Sequence, residues 1–295
     1  MTTSSIFDLL ARRTVLFDGA MGTELMKRGL PHGLCPEEWN ITRPEVLKEI
    51  HRSYYEAGAD AVSTNSFGAN PIKLASCGLE GRSAELNLAA AGLAAEVRPS
   101  GKFVIGDIGS TGKFLKPQGE YEEAEFEKAF AVQAEALDAG AVDVFLVETM
   151  FDLREAVCAV RGIRRVSARP VFVSMTFNKT PRGFFTLMGD SVARCVAVLE
   201  AEGVPVLGAN CTLTSPVLAE CIAAMSRLTS KPLVAQPNAG QPEIGGGGEL
   251  VYAQSVEEFA ADAPRLVESG AKIVGGCCGT TPEYIRRAAA ALNLI

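Results

Sequence analysis

Short apolar runs alternate along this chain with longer segments whose apolar positions keep to one face. The short runs are Val15–Asp18, Ala61–Asn65, Phe103–Asp107, Val144–Glu148, Val171–Thr176, Val204–Asn210, Pro232–Gln236 and Lys272–Gly276. They are rich in Val, Ile and Phe and continuous, not alternating, as expected of strands buried on both faces of a parallel sheet. The longer segments predict helices. Over Pro44–Ala57 the apolar positions Val46, Leu47, Ile50 and Tyr54 share a face, and Pro44 suits a first helical turn, where its missing N–H costs nothing. Ser215-Pro216 and Thr281-Pro282 predict two more starts, each a capping hydroxyl followed by a proline. Gly58, Gly140 and Gly270 sit in similar small-residue turns and predict helix stops ahead of the next strand.

Eight strand–helix units, with no linker or low-complexity tract between them, predict a single α/β domain over residues 1–295, a (β/α)8 TIM barrel. A doubly wound open sheet is the alternative the pattern leaves open. Gly245–Gly248 reads as a mobile loop after the seventh strand. On a barrel, chemistry sits at the C-terminal strand ends. The unusual polar residues fall there: Asp18-Gly19, Thr64-Asn65, Asp107, Glu148-Thr149, Asn210-Cys211, Pro237-Asn238 and Gly276–Gly279. An acid ending an apolar strand is costly to bury without a partner or a role.

Composition changes this picture mainly by exclusion. With 47% hydrophobic residues among 295, the chain can bury a large core. A net charge of −7 and the lack of any dense Lys/Arg run argue against nucleic acid and anionic membrane surfaces as partners. No apolar run approaches the roughly 18–20 residues of a membrane helix, and the first residues lack a signal peptide's basic and apolar regions. The expectation is a soluble, cytoplasmic protein. In that compartment thiols stay reduced, so the 8 cysteines are not read as a disulfide framework. Two histidines only, His32 and His51, argue against a histidine-based metal site.

The most informative stretch is Val274-Gly275-Gly276-Cys277-Cys278-Gly279-Thr280-Thr281-Pro282. Adjacent residues of a regular strand point to opposite faces, but leaving the strand through glycines lets both sulfurs turn toward one centre. Cys211 ends the sixth strand, whose mouth position in a barrel is two strands from the eighth. Three thiolates there suit Zn2+ with a fourth tetrahedral position for an exchangeable ligand. Two other readings stand at this point: buried cysteines acting as small hydrophobes, and a redox-active Cys277–Cys278 dithiol. Cys35, Cys77, Cys158, Cys195 and Cys221 have no comparable setting and read as structural, the last three on helical patterns facing the core.

Leu16-Phe17-Asp18-Gly19-Ala20-Met21-Gly22-Thr23, Asn210-Cys211 and Gly275-Gly276-Cys277-Cys278-Gly279-Thr280 closely resemble the homocysteine S-methyltransferase family. That family includes betaine–homocysteine methyltransferase and the homocysteine-binding barrel of cobalamin-dependent methionine synthase. Thr64-Asn65-Ser66-Phe67, Val147–Asp152 and Pro237-Asn238-Ala239-Gly240 look most like the methionine synthase barrel. The resemblance implies a (β/α)8 barrel with Zn2+ on Cys211, Cys277 and Cys278. The thiol of homocysteine takes the open position as a thiolate and is methylated to methionine. It also implies Asp18 and Glu148 for the substrate's ammonium, and amides near Gly19–Gly22, with Thr64 or Asn65, for its carboxylate. Asn210 is then a neighbour positioning Cys211. Read as one barrel without folate or cobalamin modules, the chain takes its methyl group from a separate methylcorrinoid (methylcobalamin-type) protein. Met150-Phe151 stands where betaine-using relatives carry a Tyr-Phe type pair, so no betaine cage is evident. A small sulfonium or betaine donor, such as S-methylmethionine, is the enzymatic alternative, and a homocysteine- or zinc-binding regulatory module the non-catalytic one. Trp39, Phe184, Phe185, Leu187 and Met188 read either as facing the donor or a partner, or as covering the barrel mouth.

Overall fold

A computed structural model describes residues 5–31, 33–244 and 250–295, with backbone alone at 242–244 and 250. All eight expected strands form: β1 (Val15–Leu16), β2 (Ala61–Ser63), β3 (Phe103–Ile108), β4 (Val144–Met150), β5 (Val171–Met175), β6 (Val206–Thr214), β7 (Leu233–Asn238) and β8 (Ala271–Val274). Each is followed by a helix: α1 (Pro44–Glu56), α2 (Ser83–Glu96), α3 (Glu123–Ala139), α4 (Leu153–Arg164), α5 (Val192–Ala201), α6 (Ser215–Ser226), α7 (Val256–Glu268) and α8 (Pro282–Ala291).

The strands are parallel and neighbour one another in the order β1-β8-β7-β6-β5-β4-β3-β2. The remaining seam, β1 against β2, closes through a parallel bridge from Phe17 to Ala61 and a 2.6 Å bond from the Asp60 N–H to the Leu16 carbonyl. Closure excludes the open sheet. Beneath that seam the Asp60 carboxylate accepts from both Arg13 nitrogens at 2.7 and 2.8 Å, from Lys102 at 3.0 Å and from the Leu16 N–H at 3.0 Å.

The barrel's lower interior is filled by Val15, Phe17, Phe103, Ile105, Leu146, Phe172, Val206, Val234 and Ile273. Its floor is the short helix Ile6–Leu10, whose Ile6 joins this cluster and whose Phe7 ring meets Phe172 edge-on at 5.9 Å. A second, larger apolar layer lies between strands and helices and includes Cys158, Cys195 and Cys221. Each fully buried Phe, Leu, Ile or Val contributes roughly 1.5–3 kcal/mol relative to exposure. With the lower half packed, the open space is left at the C-terminal mouth.

Local expectations are corrected in three places. The helix after β6 starts at Ser215, with Thr214 in the cap position; neither Thr214 nor Thr281 makes a side-chain capping bond, and the Ser215 hydroxyl donates instead to Gln254 Oε1 at 2.8 Å. Helix α3 does stop at Gly140, but the left-handed residue there is the following Ala141 (φ +66°); Gly140 itself lies against Ala91 so closely that a Cβ would come within 2.3 Å. Two antiparallel hairpins at the mouth, Asn178–Thr180 with Gly183–Phe185 and Pro242–Ile244 with Leu250–Tyr252, were not evident from the pattern. The expected loop at Gly245–Gly248 lies outside the described residues. Among the described residues no helix is long and apolar enough to cross a membrane.

Candidate functional site

The site is built where β6 and β8 leave the barrel. β6 pairs regularly with β7 as far as Asn210, then shifts register before Thr214. Cys211 and Thr212 in that shift both hold left-handed backbone, at φ +62° and +45°. Two successive non-glycine residues in that region are costly and persist only where surrounding contacts enforce them. Here they turn the Cys211 sulfur toward the end of β8.

Past β8 the chain runs through Gly275 and Gly276 to Cys277 and Cys278. A Cβ at Gly276 would sit 2.2 Å from Thr280 Oγ1, so only glycine lets the loop fold back this tightly. Thr280 pins the turn: its hydroxyl donates to the Cys277 carbonyl at 2.6 Å, and its own carbonyl accepts from the Ala20 N–H at 3.1 Å and the Tyr54 hydroxyl at 3.2 Å. The Cys277 N–H reaches the Pro237 carbonyl at 2.8 Å and the Gly279 N–H the Thr23 hydroxyl at 3.1 Å. The result is convergence. The sulfurs of Cys211, Cys277 and Cys278 all lie within 4.8 Å of one another, the one such cluster of metal-ligating groups among the described residues.

Three thiols in so small a space cannot all ionise unaided. S–H groups of Cys277 and Cys278 donating to Cys211 pull its thiol down to about 3, while the same contacts push Cys277 well up and Cys278 to about 11. By itself the trio therefore resists ionising all three thiols. A divalent cation removes that limit by stabilising all three thiolates, and three sulfurs from rigid strand ends fit zinc with a position to spare.

Against the sulfurs lies a cavity of about 460 Å3 whose wall includes Gly19, Thr64, Asn65, Asp107, Glu148, Gln236 and the three cysteines. Burial raises the carboxyl of Glu148 to about 7, and raises Asp107, which lies against it, well above the usual range. Asp107 Oδ1 and Gln236 Oε1 are buried without any donor. The cavity therefore presents acceptors lacking partners, the arrangement a bound ammonium group relieves.

Asn210 organises this corner. Its carboxamide oxygen accepts from the Thr149 N–H at 3.0 Å and the Ser174 hydroxyl at 2.8 Å; its nitrogen donates to Glu148 Oε2 at 2.6 Å and Thr149 Oγ1 at 2.8 Å. Asn210 does not itself line the cavity, and neither does Asp18. Asp18 stands behind the wall, accepting from the Ser63 N–H at 2.7 Å and hydroxyl at 3.0 Å, with burial raising its carboxyl to about 7. Thr64 and Asn65 line the cavity with their side-chain donors already used. Because the Ser66 hydroxyl donates to the Asp107 carbonyl at 2.7 Å, the Thr64 hydroxyl is left to donate to Ser66 at 2.6 Å. Both Asn65 Nδ2 hydrogens are engaged, by the Pro36 carbonyl at 2.8 Å and Asn40 Oδ1 at 2.9 Å.

Several wall residues escape sequence reasoning. The strand-end rule picks out Asp107 as it does Glu148, whereas Gln236, which ends the seventh apolar run, obeys the rule without having been singled out. Tyr252 gave no signal, yet the hairpin carries its ring against Gly279 and its hydroxyl to Cys278. Cys35 and Cys77, expected to be structural, both line the cavity. Trp39 is buried in the helix layer under the Arg43 guanidinium, 4.7 Å from the ring centre, and is not on the cavity wall. Phe184 packs on the core, whereas Leu187 is 63% exposed. A second cavity, of about 590 Å3, opens on Cys211, Cys278 and Tyr252 from another side, among Asn178, Thr212, Asn238 and Gln241.

A family model described as homocysteine S-methyltransferase matches residues 15–292. Methionine synthase of Mycobacterium tuberculosis is 37% identical over 98% of this chain, and that of Mycobacterium leprae 36% over 98%. The chain spans about a quarter of the length of these relatives, 25% in both cases. Among solved structures, the metallated form of the homocysteine methyltransferase MmuM from Escherichia coli superposes with a TM-score of 0.81 at 26% identity, covering 96% of this chain and 98% of that one.

Proposed function

Because the chain belongs to the homocysteine S-methyltransferase family, we propose that it binds zinc through Cys211, Cys277 and Cys278 and methylates homocysteine held in the adjoining cavity. One observation carries this reading: three convergent sulfurs share a cavity wall with a buried carboxyl oxygen, Asp107 Oδ1, and a buried amide oxygen, Gln236 Oε1, that both lack donors. Zinc supplies a Lewis acid that keeps a further thiol, whose ordinary pKa is near ~8.5, deprotonated at neutral pH. The protein's own groups position the rest of the substrate. Glu148 and Asp107 accept from the ammonium, whose charge lets both carboxyls ionise, and Gln236 Oε1 accepts a remaining N–H. Asp18 supports that corner from behind through Ser63. The substrate's carboxylate faces backbone amides near Gly19–Gly22, while Thr64 and Asn65 hold the wall's shape.

For the methyl donor, a methylcorrinoid on a separate protein is the reading favoured by the likeness to methionine synthases. The second cavity supports it by leaving the sulfurs a face away from the amino-acid pocket. A small sulfonium donor is the other reading, since the second cavity also gives a small molecule access to Cys211 and Cys278. Zinc stoichiometry comes first: the parent should hold one equivalent and Cys211→Ala should lose it, full retention by the variant removing Cys211 from the ligand set. The zinc-loaded protein is then assayed with homocysteine and each donor. Turnover with a sulfonium salt and no corrinoid decides for the second donor. Tight homocysteine binding without transfer from any donor decides for a binding module.

A further inference from the structure

Two cysteines outside the zinc trio share the wall of the same cavity. Cys35 is buried and its thiol donates to Glu37 Oε2 at 2.9 Å; Cys77 lies near enough to add to the upward push on that thiol. Cys77 is exposed. The short turn that bears it is clamped in place, because Leu74 and Leu79 on either side pack with Cys35 in one small apolar cluster. Glu37 is buried too, and its other oxygen accepts from the Gly68 N–H at 2.7 Å, which fixes the carboxylate toward Cys35. An accessible thiol, a sheltered thiol beside it and a carboxylate bonded to the sheltered one are the parts of a thiol–disulfide exchange site.

We propose that Cys35 and Cys77 form a reversible disulfide by exchange with a low-molecular-weight disulfide, and that Glu37 takes the Cys35 proton. In the first step the Cys77 thiolate attacks one sulfur of the oxidant RSSR, forming a Cys77–SR mixed disulfide and releasing RS−. In the second, Cys35 gives its proton to Glu37 and its sulfur attacks Cys77, forming Cys35–Cys77 and expelling a second RS−. Two protein thiols are oxidised and RSSR is reduced to two thiols, the released thiolates taking up the two protons. Assignment of roles follows accessibility: the oxidant meets Cys77, and Cys35 resolves. Burial and the Glu37 carboxylate raise the Cys35 thiol, so it stays unreactive until its sulfur partner is activated.

The test uses the full chain, zinc-loaded, treated with oxidised glutathione, then alkylated, digested and analysed by mass spectrometry. The parent should yield the Cys35 peptide joined to the Cys77 peptide, reversed by dithiothreitol. Cys35→Ser should stop at a lasting Cys77–glutathione adduct, and Cys77→Ser should give neither adduct nor link. Glu37→Gln keeps an acceptor for Gly68 and should resolve the adduct at least roughly tenfold more slowly. A parent that accumulates the Cys77 adduct with Cys35 still open to alkylation overturns the pairing. An unchanged rate in Glu37→Gln overturns the role of the carboxylate, and the two cysteine variants decide the pairing even if that variant does not fold.

Discussion

Replacing Asn210 by alanine tests whether one carboxamide holds the substrate corner together. The side chain accepts from the Thr149 N–H and the Ser174 hydroxyl, and its nitrogen donates to Glu148 Oε2 and Thr149 Oγ1, with a longer contact of 3.8 Å to the Cys277 sulfur. Truncation strands the buried Ser174 hydroxyl and the half-buried Thr149 N–H, at roughly 1–3 kcal/mol each at most, and removes a bond to a carboxyl worth roughly 1.5–3 kcal/mol. The neighbouring cavity lets water recover part of this, so a net loss of about 3 kcal/mol is expected. At roughly 2–4 °C per kcal/mol for a chain near this size, the melting temperature should fall by about 6–12 °C. Thr149 sits at φ +55° and Cys211 at +62°, so the loss should also loosen the metal ligand. Zinc affinity, read by competition with a chelator, should drop about tenfold or more, the scale of outer-contact losses at metal sites. Differential scanning calorimetry on apo and zinc-loaded protein separates the two effects. A variant that melts within about 2 °C of the parent and holds zinc equally well would refute the role given to Asn210.

Other outcomes follow from the same geometry. Gly276→Ala forces a Cβ to within 2.2 Å of Thr280 Oγ1; it should lower stability by about 1–3 kcal/mol in thermal melts and weaken zinc binding measured by chelator competition. Glu148→Gln should raise the homocysteine KM by tenfold to a hundredfold, on the order of 1.5–3 kcal/mol for a charged hydrogen bond, with thermal stability kept or improved. Burial raises Asp18, Glu148 and Glu155 to about 7 in the folded protein, whereas unfolded carboxyls titrate near ~4. The folded state then binds more protons across that window, so their contribution to stability is full below about pH 4 and lost as pH rises through about 7. Cys211, pulled down to about 3, and His51, pulled down by burial to about 4, each work in the opposite sense by one proton, so the melting temperature of the metal-free protein should decline only gently, from pH 5 to 7. Glu155→Gln, which keeps an acceptor for Thr111 but cannot ionise, should flatten the decline, and an unchanged slope would count against this assignment.

Much of this arrangement was legible before any coordinates. The eight strands announced themselves because a strand buried on both faces has to be apolar throughout, and Val/Ile/Phe runs such as Val144–Val147 have few other uses. The strand-end rule then led to Glu148, Asn210 and the cysteines. Less legible were features that depend on side chains meeting across the barrel. That Asp18 lies behind Ser63, while Asp107 shares the wall with Glu148, is a matter of which way each strand end points. Tyr252 arrives on a hairpin that follows a glycine run, where periodicity carries no information. That Cys35 and Cys77 share one wall brings together two separate loop segments and leaves no local trace. The cap at Ser215 failed for a plainer reason: its hydroxyl found a distant partner in Gln254, which no local rule weighs.

The proposed ligand set would also tie metal uptake to completion of the barrel. Cys211 stands on the sixth strand and Cys277 and Cys278 follow the eighth, whose turn is fastened to the first strand's loop through Thr280 and Ala20. A growing chain that has folded six strands owns one sulfur of the three and no cradle for an ion. Only when β8 slots between β7 and β1 do the three sulfurs converge, so an ion captured there acts as a latch on the final joint. Metal scarcity should then show first as breathing at the β8–β1 joint, where proteases and hydrogen exchange would find an entrance while the other strands remain shut.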